Sequence, residues 1–154
     1  MSKADGGIKI LAVNKKARFN FAIQESMECG IALAGTEVKS IKEGKSSFAD
    51  SYAQVENDEL WLIAYHVSPY EFGNLANKDP LRKRKLLVHK KEIKRLKRVT
   101  TEKGLTLVPL KFYLKRGIVK CEIGIARGKK LFDKRQDIKK RDLKREVQRE
   151  FRIK

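Results

Sequence analysis

Cysteine is nearly missing from this chain of 154 residues, which has only Cys29 and Cys121. Two thiols without metal-ligand spacing exclude a zinc-ribbon scaffold and a disulfide-rich secreted framework. One bridge between them stays open, but core thiols carried on strands in a reducing cytosol are the expected state. Long apolar runs are also missing. The N-terminus has none of signal-peptide length, and nothing approaches a membrane span. A soluble, cytoplasmic protein is expected, with no membrane partner. Proline occurs three times. Pro69 and Pro80 bracket a loop, and Pro109 confines its strand to an edge or a bulge. Acids are scarce, 19 against 37 Lys and Arg.

The usual chemical constellations are absent too. His66 sits in an apolar strand and reads as a core residue rather than a base. Glu28, Glu37 and Asp50 lack a recognisable partner pattern. Gly128-Lys129-Lys130 has neither the upstream glycine nor the following Ser or Thr of a phosphate loop. There is no nucleophile elbow. The expectation is a protein that is not an enzyme and has no cofactor and no metal. An RNA-cleaving enzyme built of scattered acids stays as a rival.

What is present is positive charge, and it is concentrated. The net charge is +18. Residues 82–98 hold ten Lys or Arg against Glu92, and residues 127–154 hold thirteen against five acids, while the other 109 residues are nearly neutral. Focused positive charge points to a polyanion, nucleic acid before a membrane surface. Within 82–98, Arg82, Arg84, Lys85, Lys90 and Lys91 are taken as RNA-facing, because the block is almost free of acids and has no i, i+4 pairs. Its rival reading is a solvated helix face.

The tail from Arg127 has a thin apolar edge of Leu143, Val147 and Phe151 at helical spacing. Asp133 and Gln136 suit an N-cap and a capping-box partner, and Asp137–Arg141 is a favourable i, i+4 pair. One reading is a conditional helix, disordered when free and ordered on a polyanion. The other is a solvated basic tail that aids solubility. Two units follow, a body of residues 1–126 and a tail of residues 127–154.

The body reads as several short antiparallel strands and one good helix. Phe19, Phe21 and Ile23 alternate as a strand does. Residues 28–33 and 36–41 fit helix or strand equally. Tyr52–Val55 and Leu60–Val67 form a hairpin about Asn57-Asp58. His89–Arg98 is helical, with Ile93 and Leu96 inward, and Gly104 ends that element. Leu105–Lys115 and Ile118–Ala126 turn at Arg116-Gly117, with Leu110, Phe112 and Leu114 on one face. Such spacing suggests a mainly β fold, a small closed or nearly closed antiparallel barrel.

Six segments in order carry a resemblance: Asn14-Lys15-Lys16-Ala17-Arg18, Gly35-Thr36-Glu37-Val38-Lys39-Ser40, Asp50-Ser51-Tyr52, Arg84-Lys85-Leu86-Leu87, Gly124-Ile125-Ala126-Arg127-Gly128-Lys129-Lys130 and Asp133-Lys134-Arg135. With them the chain resembles the small protein B family, bacterial partners of transfer-messenger RNA. The resemblance implies a barrel of oligonucleotide-binding (OB) type with short flanking helices. It also implies an adaptor role in trans-translation, the rescue of ribosomes stalled on mRNA without a stop codon. Glu28, Leu87 and His89 would face the elbow of the tRNA-like domain, with Asn14, Lys15 and Arg18 as softer candidates. At His89 the family pattern admits Asn, and both side chains offer a hydrogen bond. Gly128, Lys129, Lys130, Asp133, Lys134 and Arg135 would serve accommodation of the tail in an empty mRNA channel. The implied partners are transfer-messenger RNA, the ribosome at its decoding centre, mRNA channel and small-subunit rRNA, and elongation factor Tu during delivery, with the protein itself a monomer. A general ribosomal or RNA-chaperone protein remains the alternative.

Overall fold

A computed structural model describes the backbone of residues 7–129 and 131–153; the side chains of residues 74, 131–134 and 149–153 lie outside the description. The fold is mainly β. In chain order, β1 (Ile8–Val13) leads through a one-turn helix α1 (Ala17–Asn20) into the long strand β2 (Phe21–Ile31), followed by helix α2 (Gly35–Lys42). Then come β3 (Ser46–Ser47), β4 (Tyr52–Glu56), β5 (Glu59–Ile63), β6 (His66–Val67), a single 3-10 turn at Asn74–Ala76, and β7 (Arg84–Leu87). Helix α3 (Lys90–Glu102), strands β8 (Thr106–Lys115) and β9 (Ile118–Gly128) and helix α4 (Leu131–Ile153) complete it.

Seven strands form one antiparallel sheet in the order β1-β8-β4-β5-β7-β2-β9, with β8 also pairing β9; β3 and β6 form a separate pair. Strand β8 reaches three neighbours because it is long. Its start meets β4 at Ala53↔Leu107 and its end meets β1, while β9 follows its other side.

Both tight hairpins fall where the turn residues require. Asn57 and Asp58 have φ of 50° and 59°, and Arg116 and Gly117 have 54° and 78°. Two successive left-handed residues match the twist of the strands they join. Gly104, at φ 65°, follows the end of α3, the usual left-handed helix stop.

The core is built from alternate residues. Val119, Cys121, Ile123 and Ile125 of β9 all point inward, with Leu60, Leu62, Leu86, Phe112 and, from α3, Leu96. Phe48, Tyr65 and Phe112 cluster with ring centroids 4.7–5.6 Å apart. Both cysteines are free and buried, and they face each other across β2 and β9. Burial pushes the Cys29 thiol up to about 12.

Several expectations are corrected. Phe19 lies in α1, not in the strand, which starts at Phe21. The two stretches left open between helix and strand resolve, residues 28–31 as strand and 36–41 as helix. The second strand of the first hairpin stops at Ile63, because Ala64 has φ 61° and turns the chain away to β6. Leu110 does not share a face with Phe112 and Leu114. A register shift between Pro109 and Lys111 flips the parity, as a bulge does. Leu110 therefore packs with Ala17, Val108 and Ala126, apart from the main core. The tail forms α4, the helical one of the two states expected of it. It begins at Leu131, so Asp133 stands inside the first turn and is not the N-cap.

Candidate nucleic-acid interface

Strand β2 carries Glu28 at an exposed position, two residues before Gly30. Gly30 is the register partner of Leu87 at the end of β7. A Cβ on Gly30 would stand 3.2 Å from the Leu87 Cβ, so the glycine permits this close approach. The chain then stays extended through His89, at φ −69° and ψ 152°, whose carbonyl accepts from the Glu92 and Ile93 N–H groups of α3 at 2.9 and 3.1 Å. The His89 side chain makes no capping bond. As a result Glu28, Leu87 and His89, from two distant stretches, line one shallow groove of about 370 Å³ with Gly30 and Lys120. Leu87 is half exposed.

Glu28 is held in place. Its carboxylate accepts from the Tyr113 hydroxyl at 2.5 Å and lies 3.5 Å from the Lys115 ammonium. The Tyr113 bond, with help from Lys115, keeps the Glu28 carboxyl below the usual carboxylate value, although desolvation opposes it. Burial and the Glu28 carboxylate push the Tyr113 hydroxyl up. An ionised, oriented carboxylate repels phosphate but accepts hydrogen bonds from the amino edges of bases. The half-exposed Leu87 offers apolar contact beside it. The groove is therefore suited to reading unstacked bases.

The basic block divides on structural grounds. Arg84 does not face RNA, and that expectation is corrected: it has no exposed surface. On β7 the side chains alternate, so Arg84 and Leu86 point inward while Lys85 and Leu87 point outward. The Arg84 guanidinium donates to Glu37 at 2.8 Å, to the Tyr65 carbonyl at 2.5 Å and to the Pro80 carbonyl at 3.0 Å. Arg82 donates to both oxygens of the same Glu37, at 2.5 and 2.9 Å. Lys83 pairs with Glu56 at 2.7 Å, Lys85 with Glu59 at 2.6 Å, and Arg95 with Glu25. Lys90, Lys91, Lys94 and Arg98 project from α3 and are exposed, with no acid partner among the described residues.

Asn14 is occupied by the fold. Its amide Nδ2 donates to the Pro109 carbonyl at 2.8 Å and its backbone N–H to Leu110 at 2.8 Å, which secures the bulge. Lys15, Lys16 and Arg18 beside it are exposed. Gly128 closes β9. Lys129 bonds Asn20 through its N–H at 2.9 Å and pairs its ammonium with Asp137 of α4. Arg135 is exposed. Lys130 lies outside the described residues, as do the side chains of Asp133 and Lys134. Sequence reasoning missed the tie between Glu28 and Tyr113 and the acids that neutralise the block. These partners lie 85 residues away for Glu28 and 26 to 70 away for the block, so no local pattern reveals them.

A seven-stranded sheet with a base-sized groove, a lysine-rich helix at its rim and a long basic C-terminal helix defines a small nucleic-acid-binding protein. Comparison with known proteins makes it particular. The model of the SmpB protein family matches residues 11–153. The SsrA-binding protein of Treponema denticola is 55% identical over 146 residues, 95% of each chain. That of Caldanaerobacter subterraneus subsp. tengcongensis is 55% identical over 154 residues, all of this chain and 98% of its own. A solved chain described under the words "tmRNA-SmpB: a journey to the center of the bacterial ribosome" superposes with a TM-score of 0.65 at 52% identity, over 78% of this chain and 85% of that one. The chain belongs to the SmpB family.

Proposed function

We propose that this chain is the RNA-binding adaptor of trans-translation, a role without catalysis. The body binds the tRNA-like domain of transfer-messenger RNA through the groove at Glu28, Leu87 and His89 and brings it to ribosomes stalled on mRNA without a stop codon. The basic C-terminal helix occupies the empty mRNA channel. The protein acts in the cytoplasm as a monomer, and elongation factor Tu joins it during delivery. The strands act as a closed barrel of OB type. The pairing of β8 with both β4 and β9 supports that closure, and a sheet face with basic loops suits such a platform.

The observation that carries this reading is the convergence of Glu28, Leu87 and His89 on one groove, in a chain whose relatives are SsrA-binding proteins over nearly their full length. The test is equilibrium binding of the full chain to the tRNA-like domain. Leu87→Ala combined with His89→Ala is expected to weaken it about tenfold or more, the scale of one lost stacking or bidentate contact. Both side chains are exposed, so the melting temperature should hold. Unchanged affinity in a stably folded double variant would remove the groove from the interface.

A further inference from the structure

The loop from Pro69 to Pro80 has a structure that the groove does not explain. Asn77 closes it from within: its Oδ1 accepts from the Tyr70 N–H at 2.8 Å and its Nδ2 donates to the Tyr70 carbonyl at 3.0 Å. This pair of bonds imitates one rung of a sheet. Gly73 is required beneath it, because a Cβ there would stand 2.7 Å from the Asn77 oxygen, which those bonds hold in place. The closed loop sets Tyr70 and Phe72 edge to face with centroids 5.6 Å apart. Phe72 is 72% exposed. A loop tied down this firmly does not expose a phenyl ring through slackness.

The ring borders a cavity of about 550 Å³ walled by Tyr70, Gly73, Lys39 and Lys78, among others. The Lys39 ammonium lies 5.9 Å from the centre of the Tyr70 ring. Lys39 and Lys78 are exposed, without an acid partner among the described residues. Of the loop's own acids, Asp79 accepts from the Leu81 N–H at 2.9 Å, and Glu71 is exposed. An exposed aromatic face flanked by two free ammonium groups is complementary to a nucleotide, with the ring taking the base and the lysines its phosphates.

We infer that Phe72, with Lys39 and Lys78, forms a second RNA contact that takes an unpaired nucleotide by stacking, apart from the groove at Leu87. This contact presupposes an RNA partner. Because the ring is exposed, its replacement leaves the fold intact, and an unchanged melting temperature verifies that.

The probe is a decamer of 5-iodouridine RNA, whose bases stack little on one another. With the full chain, photocrosslinks are expected on the peptide that holds Tyr70 and Phe72. Phe72→Ala should lose those crosslinks and about 5- to 100-fold in affinity, the span of one base–aromatic stack, while Phe72→Trp should keep both. Crosslinks found only elsewhere, or the same affinity in Phe72→Ala as in the native chain, overturn the inference. Intact RNA binding with loss of ribosome rescue in Phe72→Ala also overturns it, since the loop would then take a protein. The two sites fail separately. Loss of tRNA-like-domain binding in the Leu87 and His89 double variant, with no crosslink at the loop, removes only the loop. The opposite pattern keeps the loop and removes the groove.

Discussion

Glu37 serves several structures through one carboxylate. It sits in the first turn of α2, accepts the Ala34 N–H at 2.9 Å, and holds both Arg82 and the fully buried Arg84. These bonds fasten α2 to the chain entering β7, so the inward arginine helps set where Leu87 emerges. Glu37→Gln would leave Arg84 buried without a counter-charge, which costs about 3–5 kcal/mol; urea unfolding would measure it. The pH dependence has a definite sign. Burial pushes the Glu37 carboxyl up, but the bonds from Arg82, the Ala34 N–H and Arg84 outweigh it, and the group ends below its ordinary value. Its stabilisation is therefore full above the unfolded value of about 4.3 and is lost as pH falls through the lower folded value. The gap in stability between the native chain and Glu37→Gln should narrow on the acid side of that value.

At the scale of elements, the bulge in β8 decides which face each apolar residue serves. Asn14 holds it by donating to the Pro109 carbonyl at 2.8 Å. Asn14→Ala removes this hydrogen bond at a cost of about 0.5–1.5 kcal/mol. Thermal unfolding should register this while affinity for the tRNA-like domain stays as it was; a selective loss of affinity would instead make Asn14 an RNA contact. The elements themselves were mostly legible. Asn57-Asp58 and Arg116-Gly117 announce their hairpins because few residues tolerate two left-handed positions. Ile93, Leu96 and the lysines between them announce α3. The bulge was foreshadowed by Pro109, but its consequence was not: alternation continues through Leu110, Phe112 and Leu114 on paper and breaks in space. Ala64 gave no warning of the end of β5, because alanine carries no turn preference strong enough to read. Of the candidate site, Glu28, Leu87 and His89 came from motif resemblance, and local pattern could not have joined them. Arg84 was misplaced because charge was counted along the chain without regard to strand parity.

For the whole molecule, ion pairing changes what the net charge means. Much of the block at residues 82–98 is neutralised within the fold, which leaves Lys90, Lys91, Lys94 and Arg98 on α3. With Lys15 and Arg18 they could neutralise about six phosphates, and affinity for the tRNA-like domain should then fall about a thousandfold between about 50 and 200 mM salt. A flat response would assign the binding to stacking and shape. The tail is a separate matter, because the described side chains of its helix make few contacts with the body. Its described contacts are the Lys129–Asp137 pair and the Arg141 guanidinium 5.4 Å from the Phe19 ring, while Ile138, Leu143 and Val147 are exposed. One part-buried ion pair and one cation–π contact contribute on the order of 1–3 kcal/mol together. A chain ended after Phe132 should therefore unfold at a somewhat lower urea concentration and keep its affinity for the tRNA-like domain. It should fail, however, to release ribosomes stalled on a message without a stop codon in a reconstituted translation reaction. A large loss of RNA affinity in the shortened chain would show that body and tail bind one RNA together, and the division of labour between them would have to be given up.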